Sequence, residues 1–207
     1  VVLFHLERLR GGYLGVDLFF VLSGFLITSL LLGEGARTET IDLKGFWARR
    51  IRRLLPASLI VVLASIGLTA AFGSPSLRQT VRGDALATIG YVANWRQIAT
   101  DHDYWAMFAE RSPLTHTWSL AIEEQFYLLW PVLVWAVVAV GVRRRAWDLR
   151  RSVLAISSIG AAASICLATV VGTGAIGSGE NASSRAYFGT DTRIGAMLLG
   201  AAAAAAL

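Results

Sequence analysis

The chain has 207 residues, 55% of them apolar and only 16% charged, with 19 Lys and Arg against 14 Asp and Glu. A mean hydropathy of +0.57 excludes a soluble domain of this size, which has too little interior to hide so much apolar surface. The net charge of +5 does not argue for nucleic acid, because the arginines sit in short blocks beside apolar runs rather than along one polar face.

Crossing a hydrocarbon core about 30 Å thick takes roughly 20 mostly apolar residues. In chain order, residues 1–6 read as the tail of a first span and 13–32 as a full one, interrupted by Asp17 and Ser23. The block "GFWARRIRRLLP" follows, and Pro56 suits the first turn of a spanning helix over 57–73, ended by Gly73, Ser74 and Pro75. Segment 84–95 is apolar but too short to cross, so it reads as a re-entrant or interfacial helix, followed by a polar loop through Pro113. Residues 117–142 span again and "RRRAWDLRR" follows them. Residues 152–172 then span, "GTGAIGSGENASSR" is a loop, and Tyr187 enters a last span. Cys166, the one cysteine, lies in an apolar run and reads as a packing residue. The expected fold is an all-α, polytopic transmembrane helix bundle, one domain over 1–207 that is incomplete at both ends.

Basic loops face the cytoplasm, which places the clusters at 49–53 and 143–151 inside and segment 74–116 outside. Ionisable groups within spans cost about 2.5 to 3.5 kcal/mol each on insertion scales, so each needs a partner, a wet cavity or an interface. His5 precedes the first outer turn and is the side chain that most readily exchanges a proton near neutral pH. Asp17 follows a Gly-Gly turn, as a helix cap or as a buried acid, and Ser23-Gly24 permits close helix approach. Arg49, Arg52 and Arg53, at i, i+3 and i+4 beside Trp47, share a helix face that suits phosphate as well as a topology anchor. In "HTWSLAIEEQFYLLWP", His116, Ser119 and Glu123 share a face, whereas Glu124 is turned by about 100° to another.

Taken in this order, "VVLFHL", "GGYLGVDLFFVLSGFLIT", "FWARRIRRLLPA", "HTWSLAIEEQFYLLWP" and "YFGTDTRIGAMLLGA" resemble the acyltransferase-3 family. Its members are multi-pass membrane enzymes that acylate sugars of bacterial envelope polysaccharides, lipopolysaccharide and related glycosides. The resemblance implies about ten transmembrane helices, of which this chain would hold the first six, in the inner membrane. His5 matches the histidine of the family's first-helix motif, whose arginine would lie before Val1. Arg49, Arg50 and Arg53 match the arginine motif associated with acyl-CoA. Asp17, Ser23, Trp118, Ser119, Glu123 and Tyr127 match the other strings, and Asp191 and Arg193 the later D-x-R position.

The implied reaction passes a short acyl group, acetyl by expectation, from acyl-CoA to a hydroxyl of a carbohydrate or glycolipid. Acyl-CoA is then a cosubstrate, with neither a tightly bound cofactor nor a metal. His5 is the expected base and Glu123 its orienter or proton partner, with Asp17 counted among the catalytic groups. A transporter using an intramembrane proton relay is the competing expectation.

Overall fold

The computed structural model describes residues 14–100, 112–144, 148–175 and 182–207, and every regular element among them is a helix. In chain order these are α1 (Leu14–Thr38), α2 (Leu43–Phe72), α3 (Pro75–Ile89), α4 (Ala93–Thr100), α5 (Thr117–Arg144), α6 (Leu149–Gly172), α7 (Ala182–Phe188) and α8 (Thr190–Ala206). Four stretches are long and apolar enough to cross a membrane: α1, α2, Thr117–Gly141 of α5, and α6. The all-α, membrane-helix architecture read from the sequence is the one observed.

Several boundaries differ from expectation: the loop read over 172–185 ends inside α7, the last helix starts at Thr190 rather than Tyr187 and is not among the candidate spans, and two further differences bear on the site. The arginine block and the span after it are one helix, since α2 begins at Leu43 and runs unbroken through Pro56, expected to open a new one. A proline there forfeits one backbone bond, to the Arg52 carbonyl, and helix-forming Ala, Arg and Leu on both sides outweigh that single loss. Segment 84–95 is the joint of two helices, because α3 already starts at Pro75. Ser74 caps it, its hydroxyl oxygen accepting from the Leu77 N–H at 3.2 Å with Pro75 in the first turn. Arg78 and Arg82 interrupt the apolar run without interrupting the helix. Neither α3 nor α4 is among the candidate spans, as expected for a segment too short to cross.

The chain packs as two compact units. The first joins Val1–Leu43, Tyr127–Leu167 and Arg193–Leu207. Here α1 and α8 meet backbone to backbone: a Cβ added at Gly24 would lie 1.9 Å from the Met197 carbonyl oxygen, and one at Gly200 would lie 1.9 Å from that of Val21. Small residues at such a crossing replace hydrophobic drive with close van der Waals contact. Buried Phe20, Ile27, Leu31, Met197 and Ala201 fill the rest of this unit. Polar links tie in the other helices. Trp130 donates its indole N–H to the Thr28 hydroxyl at 2.9 Å, and the Gly195 N–H donates to the Ser164 hydroxyl at 3.0 Å. Cys166 is exposed on α6, contrary to its reading as a packing residue.

The second unit joins Lys44–Phe126 and Ala168–Thr192. Only Gly73 and Ser74 separate α2 from α3, and Val62 of α2 is buried with Val81 and Ala85 of α3, Leu77 packing against them, so α3 doubles back along α2. Leu114 completes that cluster, and Ala87, Ala93 and Ala121 form a second one where α3, α4 and α5 meet. The Thr88 and Thr117 hydroxyls share a hydrogen bond of 2.8 Å, which fixes the start of α5 beside the end of α3.

Candidate functional site

Within the second unit the acid-bearing turn of α5 faces the first turns of α2. Arg50 donates to Glu123 at 3.2 Å and its Nε lies 4.0 Å from Glu124. The three side chains are 17%, 6% and 12% exposed, which makes this a largely desolvated group rather than a surface ion pair. Glu124 Oε1 is buried and takes no hydrogen bond from any described residue. Helical phase alone separates the two carboxylates, but a guanidinium fork is wide enough to sit between them, so Glu124 belongs to the same cluster. Two acids meeting one guanidinium provide a fixed charge pair plus a second carboxylate able to receive a donor.

This contact corrects the expected topology at one point. The arginine block and the acids of α5 were to lie at opposite membrane faces, yet Arg50 touches Glu123. The i, i+3, i+4 face holding Arg49, Arg52 and Arg53 is the outward one, with Arg52 bonded to its own Ala48 carbonyl at 3.1 Å. Arg50, off that face, is the arginine that turns inward.

Next to the acids, three polar side chains close a ring. The Thr190 hydroxyl donates to Gln125 Oε1 at 2.6 Å, Gln125 Nε2 donates to Asn94 Oδ1 at 3.0 Å, and Asn94 Nδ2 returns to the Thr190 hydroxyl oxygen at 2.9 Å. Spare amide protons reach the Tyr91 and Phe188 carbonyls at 2.7 and 3.0 Å. The ring pins α4 and the α7–α8 junction to α5 one residue from Glu124, with Asn94 fully buried. Tyr91, which turns the chain from α3 to α4, holds φ at 53°, in the left-handed region that an unbranched turn residue tolerates at a cost. Burial first, and then the charge of Glu124, push its phenol above the usual range.

Trp118 is buried against Tyr187 and Phe188, with ring centroids at 5.1 and 5.3 Å. Asp191 receives both arms of Arg185, at 2.8 and 2.6 Å, and Arg185 in turn lies 5.1 Å over the Trp95 ring. The Asp191 hydrogen bond holds the Arg185 guanidinium above its ordinary range.

The first unit holds Asp17, Ser23, Tyr127 and Arg193. Asp17, in the first turn of α1, accepts from Arg193 of α8 at 2.8 Å, and buried Ser23 shares a hydrogen bond with Tyr127 of α5. The D-x-R pair is therefore divided: residues two apart on a helix point to nearly opposite sides, so Asp191 serves Arg185 and Arg193 serves Asp17. Ser119 donates to the His116 carbonyl, at 3.4 Å, and His116 precedes α5 instead of lying on its face. His5 lies outside the described residues.

Sequence reasoning missed Gln125, Asn94, Thr190 and Arg185, and set Glu124 aside. The signal for the first two was present, since each is an uncharged amide in an apolar segment, where such a group needs a partner.

A family profile described as an acyltransferase domain matches residues 2–202. The O-acetyltransferase OatA of Staphylococcus aureus (strain NCTC 8325 / PS 47) is 42% identical over 202 residues, 97% of this chain and 31% of that protein. The putative peptidoglycan O-acetyltransferase YrhL of Bacillus subtilis (strain 168) is 39% identical over 206 residues, 99% of this chain and 31% of the relative. A putative O-acetyltransferase of Staphylococcus aureus (strain COL), SACOL0978, is 40% identical over 202 residues. The chain thus spans about a third of the length of these relatives. No solved structure matches it significantly.

Proposed function

Because the chain belongs to the acyltransferase-3 family, we propose that it forms the acyl-transfer part of a membrane O-acetyltransferase, with acetyl-CoA as donor and a glycan of the bacterial envelope as acceptor. The names of the relatives favour acetyl as the group carried, and that of YrhL favours peptidoglycan over lipopolysaccharide as the acceptor.

In the reaction a sugar hydroxyl oxygen attacks the thioester carbonyl, its proton passes to a base, the C–S bond breaks, and coenzyme A leaves as the thiol while the ester forms. The protein must supply the base, charge stabilisation for the oxyanion and a fixed geometry for two substrates. His5 is the base in this reading. Glu123, held by Arg50, orients the proton-transfer group, and Glu124 is a second proton acceptor beside it. The exposed face of Arg49 and Arg53 offers paired guanidinium forks to the phosphates of coenzyme A. Asp17, Ser23, Tyr127, Trp118, Asp191 and Arg193 support the helix arrangement through the contacts given above.

The observation that carries the proposal is the buried Arg50–Glu123 pair, formed between the arginine string and the string that holds the paired acids. Two charges removed from water to this extent rarely stabilise a fold on balance, so their retention favours a chemical task. The test uses the full-length protein in proteoliposomes with acetyl-CoA labelled in its acetyl group and peptidoglycan strands. A base-labile labelled ester on the glycan is the expected product. Uptake of the glycan without ester formation would replace this reading by a transporter.

A further inference from the structure

The outer stripe of α3 has an order that its packing does not require. Arg78, Arg82, Leu86 and Ile89 follow one another at i, i+4, i+8 and i+11, and all four are exposed. The opposite face, with Val81, Asp84, Ala85 and Thr88, is buried. Charge is confined to the half of the stripe near α2's end, and large apolar side chains to the other half. Leu86 is 73% exposed and Ile89 52%, and the stripe continues past the turn into exposed Val92. Among the described residues neither Arg78 nor Arg82 makes an ion pair, whereas Arg96, on the inner side, is bound to Asp84 at 2.7 Å.

Depth explains the order. α2 is uncharged from Leu54 to Phe72 and long enough to cross a membrane. After Phe72 only Gly73 and Ser74 intervene before α3 turns back, and Val81 and Ala85 pack against Val62, some ten residues or about 15 Å up α2. A helix that folds back on a membrane span over this distance goes back into the bilayer with it. Its first turns then lie at headgroup depth and its last turns among acyl chains, which is where Arg78 and Arg82, then Leu86 and Ile89, are found. Arginines at such a position extend to phosphate while their stems stay in apolar surroundings.

We propose that α2 and α3 form a re-entrant hairpin whose outer stripe is a lipid site, with a phospholipid phosphodiester held between Arg78 and Arg82 and its acyl chains lying along Leu86 and Ile89. The arginine pair gives the site a preference for anionic headgroups, because nothing acidic on the stripe is available to receive the ammonium of a zwitterionic lipid. This site stands apart from the acetyl-transfer reading and does not depend on it.

Two measurements on the full-length protein test it. The first is lipid co-purification from nanodiscs containing phosphatidylglycerol and phosphatidylcholine in equal amounts. Enrichment of phosphatidylglycerol should fall by roughly fivefold for each of Arg78→Gln and Arg82→Gln, corresponding to about 1 kcal/mol per basic group. Equal enrichment in the wild type and both variants overturns the site. The second places a spin label at Ile89→Cys in an otherwise cysteine-free protein. Collisions with oxygen and not with a water-soluble nickel chelate are expected. Contact with the chelate means a water-facing stripe, and protection from both means a protein segment covers it; either result overturns the proposal.

Discussion

Arg50 lies between two acids, and removing it differs from removing the whole group. Arg50→Met strands two buried carboxylates and should cost about 3 to 5 kcal/mol of stability. Adding Glu123→Gln should restore most of that loss, because a lone Glu124 can relieve its burial by taking a proton. Thermal unfolding in detergent reads the pair, and strictly additive losses would contradict the coupling. A second residue-scale prediction concerns glycine. Gly24→Ala forces a methyl into the Met197 carbonyl and should destabilise by about 1 to 3 kcal/mol or more. Gly33→Ala, with nothing within 4 Å of the added Cβ, should be neutral or stabilising by up to about 1 kcal/mol. Sequence reasoning reached Glu123 and Ser23-Gly24 but not the partner of either. Spacing reports which residues share one helix face, and Arg50 lies 73 positions from Glu123, a relation fixed only by packing.

At the scale of elements, the ring of Asn94, Gln125 and Thr190 holds three helix ends to α5. Each member satisfies the other two, so the first deletion should be costly and the second cheap. Asn94→Ala and Gln125→Ala should each lose about 1 to 3 kcal/mol, and the double variant clearly less than their sum. Equal and additive losses would mean that the ring does not act as a unit. The four long spans were legible because 18 or more apolar residues leave few alternatives to a membrane helix. The start of α2 was not legible, because arginine and proline mark loops on average, while a helix flanked by good formers absorbs both. Segment 84–95 reads as helical and too short to cross, and its helix starts about two turns earlier, since polar side chains on one outer stripe hid the turns that carry them.

For the whole molecule, family membership and fold were both readable from five short strings, because those strings join polar residues that a bilayer tolerates only in partnership. Which polar residue meets which was not readable, and the division of Asp191 and Arg193 between Arg185 and Asp17 illustrates why: neighbours in sequence diverge on a helix. The central proposal is that the full-length protein transfers acetyl groups with Glu123, set by Arg50, in the proton-transfer machinery. Its most direct test is the rate of acetyl ester formation on peptidoglycan strands by the full-length protein and by Glu123→Gln, each inserted into proteoliposomes at matched amounts. The account predicts a fall of about 10²-fold or more with insertion unchanged. Equal rates for the two proteins would contradict it.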